Sequence, residues 1–569
     1  MKRDLSSLSS HAHDLVIVGG GIFGVCLAWE GASRGLDIAL VERGDFCQGT
    51  SANSFKIIHG GLRYLQHGDL PRIRESGDER RSLLRIAPHL ARPLPIAVPT
   101  YRGLMRGRTA LRAALAVYDL LTLDRNRGIT EPANRIPRSR MLSRAECLDR
   151  FPLLDAAGLT GAAVFHDGQM YNPPRLALSF LRSAVEAGAR AANYVEATGF
   201  LRRGKTITGI QAMDRESGDT LDIQAHLVIN AAGSWAPSLL ATLDDVVLEP
   251  RPTFSRDACF VVPRRLTGDC ALAVPAATRD PDALLSRGAR HLFLVPWRES
   301  TLVGVWHVVY AGHPDRFTVT ESDLAGFLAE VNGGLPGLDL TVNDIALWNA
   351  GLVLFGDDQT GGADLSYGKR SLIVDHAARD GVGGLLTVIG VRYTTARGVA
   401  ERTIDLATPR LGRPVSPSAT ALTPICGGRF DRFDDLRRKA AGRSDLAGLS
   451  ARHIDALLHN HGDRYAEVLA HARDDPSLIT PIGQATPLQV EVVHAVREEM
   501  AVHLGDVVFR RTDLGTGQDP GDAALRICAG LMARELGWSD DQLEEELAAV
   551  RPRFLRHVQD PGHARRDTT

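Results

Sequence analysis

The sequence predicts an α/β protein with a Rossmann-like domain, a second domain built on an antiparallel sheet, and a C-terminal α-helical domain. Near the N-terminus a glycine-rich turn separates an apolar strand from an apolar helix. Apolar and β-branched residues alternate over 258–263 and 291–310, as in half-buried antiparallel strands. Beyond Pro414, apolar residues recur at helical spacing in three stretches: 449–470, 488–509 and 522–549.

The glycine-rich turn, Gly19-x-Gly21-x-x-Gly24, follows an apolar strand that begins near Asp14. Gly19 permits the tight turn, Gly21 lets a pyrophosphate approach the backbone, and Gly24 lets the next helix pack on the strand. We expect this helix over about 22–34, with its N-terminal amides facing phosphate. The arrangement predicts a dinucleotide site.

An acidic residue at the end of the second strand supports this prediction. The strand covers 38–41 and ends in Glu42, eighteen residues beyond Gly24, and Arg43 follows. Glu42 is expected to bind the adenosine ribose. A glycine-rich structural turn is the alternative, but the strand, the helix and the acid together favour a nucleotide.

The segment 49–65 indicates which dinucleotide binds. Small hydroxyl groups at Thr50, Ser51 and Ser54 can contact the pyrophosphate from its far side. The pair Gly60-Gly61 lets the backbone lie against a flat ring system. A nicotinamide-dependent enzyme has no need of such a segment, so a flavin is favoured.

The same segment resembles the FAD-dependent glycerol-3-phosphate dehydrogenases, the aerobic, quinone-linked members of the D-amino-acid-oxidase-like flavoproteins. The similarity covers nearly the whole chain through four further stretches: 79–90, 230–236, 293–297 and 497–512. It implies a D-amino-acid-oxidase-like FAD-dependent oxidoreductase region over 14–415 and a C-terminal helical domain over 416–560. Within the first region, the implied FAD-binding pieces are about 14–90, 176–240 and 371–410, and the implied substrate-domain pieces are about 91–175 and 241–370.

The resemblance also implies noncovalent FAD contacts in later parts of the chain. Val195 is expected beside the adenine and Gly233 beneath the pyrophosphate. The segment 390–395 precedes a helix whose amides would face the pyrimidine side of the flavin. With the N-terminal motifs, the expected FAD contacts are Gly19, Gly21, Ile22, Phe23, Gly24, Glu42, Arg43, Thr50, Ser51, Ser54, Lys56, His59, Gly60, Gly61, Leu62, Val195, Gly233, Gly390, Arg392 and Thr394.

For the chemistry, the resemblance implies hydride transfer from a secondary carbinol to the flavin, with a base for the hydroxyl proton and cations for a phosphate. Arg63 and Tyr64 match the family's active-site pair, a guanidinium and a phenol for the substrate. Arg392 replaces the usual lysine of a Gly-Gly-Lys-x-Thr-Thr motif and is assigned a catalytic role. Lys369 and Arg370 lie where a phosphate-binding arginine is expected.

Three departures from the family pattern fall in the substrate site. Val353 stands where the family has the arginine of Gly-Val-Arg-Pro, so one cation is missing. Cys259 replaces a histidine; it is kept as a substrate contact, but a thiol with an ordinary pKa of about 8.5 is a poor proton acceptor. His307 replaces the aspartate of Gly-Thr-Thr-Asp and is the candidate base, with a packing role as the alternative. His59 is another imidazole, expected at the flavin.

The resemblance therefore predicts an enzyme that oxidises sn-glycerol 3-phosphate to dihydroxyacetone phosphate and passes the electrons to a quinone. The loss of the arginine at Val353 favours an alternative, an FAD enzyme for another phosphorylated polyol or for an amino or hydroxy acid. A non-catalytic flavin-binding scaffold is the second alternative. The presence of Arg63 and Tyr64 argues against a scaffold, which has no use for them.

Composition restricts the partners. There are 66 Lys and Arg against 68 Asp and Glu, a net charge of −2, so no global field attracts nucleic acid. The 7 cysteines are scattered without a C-x-x-C pair, which predicts reduced thiols and no metal site. The polar first thirteen residues and the lack of a long apolar run predict a cytoplasmic protein.

A mixed basic and apolar stretch at about 102–121 leaves two interpretations open. It suits a helix that lies in a lipid interface on the inner face of the plasma membrane, which would bring the flavin close to a membrane quinone. It equally suits a helix buried against the substrate-domain sheet with solvated arginines. A homodimer is a further assembly that the sequence leaves open.

Overall fold

The computed structural model describes residues 1–102, 107–249, 251–279, 289–355 and 370–554. The strands are β1 (His13–Val18), β2 (Ile38–Val41), β3 (Ile57–Ile58), β4 (Ala91–Tyr101), β5 (Arg140–Ser143), β6 (Leu159–Met170), β7 (Arg190–Ala192), β8 (Val195–Arg203), β9 (Thr206–Asp214), β10 (Thr220–Asn230), β11 (Thr253–Val262), β12 (Ala271–Arg279), β13 (Ala289–Trp297), β14 (Ser300–Tyr310), β15 (Leu347–Phe355), β16 (Leu372–Asp375) and β17 (Leu385–Ile389).

The α-helices of the described residues complete the element list. They are α1 (Leu5–Ser9), α2 (Ile22–Ser33), α3 (Leu70–Ile86), α4 (Arg108–Leu121), α5 (Arg144–Arg150), α6 (Pro173–Glu186), α7 (Ala236–Leu240), α8 (Glu321–Gly334), α9 (His376–Arg379), α10 (Ala396–Ala407), α11 (Phe433–Ala441), α12 (Ala451–His461), α13 (Tyr465–Leu469), α14 (Gln489–Glu499), α15 (Leu504–Asp506), α16 (Asp522–Leu536) and α17 (Asp540–Val550).

The first sheet is mainly parallel and has the strand order β16-β17-β10-β1-β2-β7. β1 lies at its centre and pairs in parallel with β10 and β2. The helix α2 contacts both α6 and α10, and their apolar side chains form one core with those of β1 and β2. Because the central strands are buried on both faces, they read as continuous apolar runs in the sequence.

The second sheet is mainly antiparallel, with the order β15-β11-β14-β13-β12-β4-β6-β3. β11 lies between β14 and β15, and its pairing with β14 shifts register between Ala258 and Cys259. The short strand β3 falls within the stretch assigned to FAD binding but pairs with β6 of this second sheet. The chain after β2 therefore crosses from one sheet to the other before it reaches α3.

Several predicted elements are interrupted where one residue adopts a left-handed conformation. Arg298 has φ 52° and makes the tight turn between β13 and β14, which the sequence pattern had joined. In the C-terminal domain, Gly462 at φ 56° follows α12, Met500 at φ 55° follows α14, and Gly537 at φ 73° follows α16. Left-handed residues end helices because they turn the chain away from the helix axis.

The C-terminal helices have their own hydrophobic core and dock behind the loop that follows β2. In this loop the buried Asp45 accepts hydrogen bonds from Arg511 at 2.7 Å and also pairs with Arg510. Burial opposes ionisation of Asp45, but the two guanidinium groups prevail and lower its pKa to about 2. The hydroxyl of Tyr194 donates to Asp506 at 2.7 Å beside this cluster.

Candidate active site

A cavity of about 2400 Å³ lies between the two sheets and brings together most of the predicted site residues. Those that line it are Gly19, Gly21, Ile22, Phe23, Glu42, Arg43, Thr50, Ser51, Ser54, Lys56, His59, Gly61, Leu62, Arg63, Tyr64, Val195, Gly233, Cys259, His307, Gly390, Arg392 and Thr394. Gly24 and Gly60 do not line it, but pack directly behind its walls. Arg370 is exposed and is not among the lining residues, and Lys369 lies outside the described residues.

The glycine-rich turn leaves no room for side chains. Gly19 has φ +107°, and a Cβ there would lie 2.6 Å from the carbonyl oxygen of Ala231. A Cβ on Gly24 would lie 1.8 Å from the carbonyl oxygen of Gly19, so α2 can pack on β1 only with glycine at this position. The first helical amide, that of Ile22, faces the cavity and donates to Ser51 Oγ at 2.9 Å.

Glu42 is held at the end of β2 by two backbone amides. Its carboxylate accepts hydrogen bonds from Gly20 N at 2.6 Å and from Gly44 N at 2.9 Å. Burial raises the pKa of Glu42 despite these hydrogen bonds. The next side chain, Arg43, stacks on Trp235 with its guanidinium carbon 4.4 Å from the ring centroid. The acid and the stacked pair line the same end of the cavity, where the ribose and adenine are predicted.

The loop that carries the small hydroxyl groups is fixed against β15. Thr50 Oγ1 donates to the carbonyl oxygen of Leu352 at 3.0 Å, and a Cβ on Gly351 would lie 2.7 Å from Thr50 Cγ2. Ser54 Oγ is buried and has no hydrogen-bond partner within the described part of the chain. Gly233 has φ +59° and nothing within 4 Å of its Cβ position. A cradle with an unpaired donor and an open backbone edge fits the diphosphate of FAD.

Hydrogen bonds from two different segments hold the turn His59-Gly60 in place. The amide of His59 donates to Thr394 Oγ1 at 3.0 Å, which links the predicted flavin segments. Asp167 of β6 accepts from Gly60 N at 2.7 Å and lies 3.3 Å from His59 Nδ1. Burial disfavours the charged form of Asp167, but the hydrogen bond and charge of His59, with Arg80, lower its pKa. The sequence analysis missed Asp167, although an acid within an apolar strand was a visible signal.

The predicted cations lie in different electrostatic settings. Arg63 is exposed on the cavity surface, within the 3₁₀ turn that follows Gly61. The guanidinium of Arg392 donates to Ser76 Oγ at 2.6 Å and to the carboxylate of Glu75 at 2.9 Å. The ring of Tyr64 lies beneath Arg392, at 5.2 Å. The positive charge of Arg392 is therefore countered by Glu75 of α3, and Arg63 lines the same cavity.

Cys259 occupies a buried position that disfavours a thiolate. Burial raises the pKa of its thiol, although the charge of Lys56 partly opposes this effect. Lys56 is only 3% exposed, donates from Nζ to the carbonyl oxygen of Ser54 at 3.3 Å and lies over the ring of Trp297. Burial lowers the pKa of Lys56 to about 8.

His307 lies opposite Asp257 on the neighbouring strands β14 and β11. Its Nδ1 atom is 2.7 Å from Asp257 Oδ1, and Ser255 Oγ donates to the same carboxylate. Val353 lies opposite Ser255 on β15 and also lines the cavity. The sequence analysis missed Asp257, because only the strand register brings it to His307.

The cavity, its glycine turn and its diphosphate cradle define the class of protein, an oxidoreductase that uses FAD. Residues 14–400 match the family described as "FAD dependent oxidoreductase". Residues 418–543 match the "C-terminal domain of alpha-glycerophosphate oxidase". The predicted cofactor and fold class are confirmed.

Named relatives specify the class further. Glycerol-3-phosphate dehydrogenase of Synechocystis sp. is 30% identical over 96% of this chain and 97% of its own length. The enzyme of the same name from Mycobacterium leprae is 32% identical over 96% of this chain and 88% of its own. The chain therefore belongs to the FAD-dependent glycerol-3-phosphate dehydrogenase family.

A solved structure shows the same fold. The glycerol-3-phosphate dehydrogenase from Bacillus halodurans, complexed with FAD, superposes with a TM-score of 0.75 at 23% identity and covers 96% of both chains. The L-alpha-glycerophosphate oxidase from Mycoplasma pneumoniae, with FAD bound, gives a TM-score of 0.51 at 16% identity over 72% of this chain and 97% of its own. Because it covers 96% of this chain, the superposition with the Bacillus halodurans enzyme includes the C-terminal helical domain.

Proposed function

We propose that this chain oxidises sn-glycerol 3-phosphate to dihydroxyacetone phosphate, with FAD as the first electron acceptor and a quinone as the next. The observation that carries the proposal is that the exposed residue Arg63 lines the cavity together with Tyr64, His59 and Gly61. Enzymes called glycerol-3-phosphate dehydrogenase that are about 30% identical over nearly the full chain support the substrate.

Each part of the cavity has a role in this reaction. The amides at the start of α2, with Ser51 and Ser54, would hold the diphosphate of FAD, and Glu42 its ribose. When bound, FAD supplies an acceptor for a hydride from the carbinol carbon. Arg63 presents two parallel donors to the substrate phosphate and holds the carbinol carbon toward the flavin. Tyr64 donates a hydrogen bond to a substrate oxygen.

Flavin bleaching under anaerobic conditions tests the substrate directly. Purified protein is mixed with sn-glycerol 3-phosphate, its enantiomer, other polyol phosphates, and amino and hydroxy acids. We expect sn-glycerol 3-phosphate to reduce the flavin fastest and a soluble quinone to reoxidise it. A protein whose flavin is reduced only by an uncharged alcohol contradicts the proposal.

A second candidate is oxidation of a different anionic alcohol or amine. Val353 lines the cavity in place of a cation, and Arg392 is paired with Glu75, so the wall offers less positive charge than the family pattern implies. A substrate with a carboxylate in place of the phosphate needs fewer donors. This candidate is favoured if a hydroxy or amino acid bleaches the flavin faster than any phosphate ester.

We further propose that the face formed by α4 meets a lipid surface. Large apolar side chains are exposed on α4 and just after it: Val117 (47%), Leu120 (66%) and Leu123 (68%). Arg108 and Arg112 of α4 are exposed, and its Leu111 and Leu115 line the cavity. A lipid-bound α4 would place membrane quinone next to the cavity wall. None of the helices in the described part of the chain has the length and apolar character that crossing a bilayer requires.

Sedimentation with anionic vesicles tests the lipid contact. We expect the protein to pellet with the vesicles at low salt and to be released in part by high salt, because both arginines and apolar side chains contribute. A Leu120→Asp, Leu123→Asp variant should stay in the supernatant and keep its anaerobic reduction rate. Wild-type protein that stays in the supernatant at low salt contradicts the contact.

A further inference from the structure

The substrate side of the cavity carries a hydrogen-bonded chain of three side chains on adjacent strands. Ser255 Oγ donates to Asp257 on β11, and Asp257 Oδ1 lies 2.7 Å from Nδ1 of His307 on β14. The imidazole is 16% exposed, and both His307 and Asp257 line the cavity. A carboxylate can only accept a hydrogen bond, so the proton of the neutral imidazole must reside on Nδ1 and the lone pair on Nε2.

These three side chains lie beside Cys259, the position at which the family pattern has a histidine. Asp257 and Cys259 are two residues apart on β11, so their side chains emerge on the same face of the strand, about 7 Å apart along it. Cys259 pairs with Gly304, which has no side chain, and Asp257 pairs with His307 on the same two strands. The sequence thus loses an imidazole at 259 and acquires one on the next strand.

Three other candidate proton acceptors that line the cavity are less suited to the task. Burial raises the pKa of the Cys259 thiol, so little thiolate is present at neutral pH. Lys56 is 3% exposed and its Nζ lies over the ring of Trp297. His59 has a carboxylate partner, Asp167, but at a longer distance of 3.3 Å, and Asp167 also binds Arg80. The Asp167 carboxylate is therefore shared with Arg80 and is less available to stabilise a protonated His59 imidazole.

We propose that His307 is the proton acceptor of the oxidation and that Asp257 is its positioning residue, a relocated His–Asp pair that replaces the histidine lost at Cys259. The proposal rests on the proposed function, because it names the base of that same reaction. Asp257 fixes the tautomer of His307 and stabilises the imidazolium that forms, while Ser255 orients Asp257.

The hydroxyl O–H bond of the substrate breaks and its proton moves to Nε2 of His307. The electron pair of the O–H bond becomes the second bond between oxygen and the carbinol carbon. The C–H bond breaks at the same carbon, and its hydrogen leaves with both electrons as a hydride to FAD. The products are a ketone, an imidazolium and a two-electron-reduced cofactor.

Rapid mixing of the FAD-loaded protein with sn-glycerol 3-phosphate in the absence of oxygen separates binding from chemistry. The concentration dependence of flavin reduction yields a limiting rate and a substrate dissociation constant. We expect His307→Ala to lower the limiting rate by ~10²–10⁴-fold, the usual contribution of a general base. Asp257→Asn should also lower it, by up to ~10⁴-fold, because an asparagine amide can hold the imidazole in the wrong tautomer. Both variants should keep the dissociation constant within about twofold, and added imidazole should restore part of the His307→Ala rate.

His291→Asn is the matched control, because His291 is another imidazole that lines the cavity, on the adjacent strand β13. It should reduce its flavin at the wild-type rate. The assignment is overturned if His307→Ala keeps the limiting rate and weakens only substrate binding, which would make His307 a substrate-binding cation. Equal slowing in His291→Asn also overturns it. If wild-type protein is not reduced by sn-glycerol 3-phosphate at all, the proposed function fails instead, and the pair is retested with the substrate that does bleach the flavin.

Discussion

The two walls of the cavity differ in how they carry their function. The cofactor wall, from β1, α2 and the loop 49–61, uses mainly backbone amides and glycine positions. The substrate wall, from β11, β14 and β15, uses side chains that project from the second sheet. A backbone site tolerates few substitutions, because each Cβ added at Gly19 or Gly24 collides with main chain. A side-chain site can change residue by residue while the sheet stays intact.

This difference accounts for the distribution of departures from the family pattern. Val353, Cys259 and His307 all lie on the substrate wall, whereas the glycine turn and Glu42 follow the expected pattern. Replacing a strand side chain leaves the ladder hydrogen bonds of β11 unchanged. The cofactor wall is therefore expected to be more sensitive to mutation than the substrate wall, and the following experiments test this expectation.

The largest effect is expected at the backbone of the cofactor wall. Gly21→Leu places a branched side chain at the start of α2, with its Cβ 3.2 Å from Ser51 Oγ, where the diphosphate should lie. We expect purified Gly21→Leu protein to contain almost no FAD, measured as the ratio of flavin to protein absorbance. Gly333→Ala in α8, whose Cβ would meet nothing within 4 Å, is the control and should keep its FAD. Stoichiometric FAD in Gly21→Leu contradicts the placement.

Support of the cofactor loop from the C-terminal domain should give the next largest effect. Arg511→Met leaves the buried carboxylate of Asp45 with Arg510 as its remaining guanidinium partner, and breaking such a pair costs about 3–5 kcal/mol. We expect a lower unfolding temperature, measured by calorimetry, and weaker FAD retention, measured by flavin fluorescence. Arg203→Met, at an exposed position, is the control. An Arg511→Met protein as stable as wild type would show that the contact does not support the loop.

The same ion pairs predict a pH dependence of stability. The pKa of Asp45 falls from its ordinary 3.8 to about 2 on folding, so the unfolded chain binds its proton more readily. The stabilisation is complete above the unfolded pKa and is lost as the pH falls through about 4 toward 2. Unfolding temperatures measured over this range should drop more steeply for wild type than for an Asp45→Asn, Arg511→Met variant. Parallel curves of unfolding temperature against pH for the two proteins would argue against a stabilising contribution from the Asp45 ion pairs.

Arg63, in the 3₁₀ turn after Gly61, is a predicted substrate contact and should give a smaller effect than the cofactor wall. Arg63→Ala removes a bidentate contact to an anion and should lower kcat/KM by ~10²-fold or more. Arg63→Lys should recover only part of this loss, because an ammonium cannot present two parallel donors. FAD content should stay at the wild-type level, which distinguishes a substrate contact from a cofactor contact. An Arg63→Ala protein with wild-type kcat/KM refutes the assignment.

The smallest effect is expected at Cys259. If the buried thiol is not the base, Cys259→Ala should change the limiting rate of flavin reduction by less than about threefold, well below the loss of a general base. Anaerobic rapid mixing measures this rate, and His307→Ala is the comparison. A Cys259→Ala protein that is slowed as much as His307→Ala would indicate that Cys259 on β11, and not His307, is the base.

Much of the cofactor wall could be read from the sequence, because its requirements are local. The turn at Gly19, the helix that begins at Ile22 and the acid at Glu42 lie close together in the chain. Residue propensities and the spacing of the glycines and the acid therefore predict them. The strand and helix interruptions at Arg298 and Met500 could not be read, since a non-glycine residue with positive φ leaves no compositional signal.

The amino-acid sequence by itself determined the class of fold, the cofactor and the residues that surround it, because backbone geometry near a phosphate restricts residue choice over short stretches. Only the tertiary structure decided which side chains meet. Asp257 reaches His307 through strand register, Asp167 reaches His59 through the pairing of β6 with β3, and Asp45 reaches Arg511 through domain docking. These contacts join residues 50, 108 and 466 positions apart. Their energies depend on burial and distance, which are properties of the folded chain and not of any one segment.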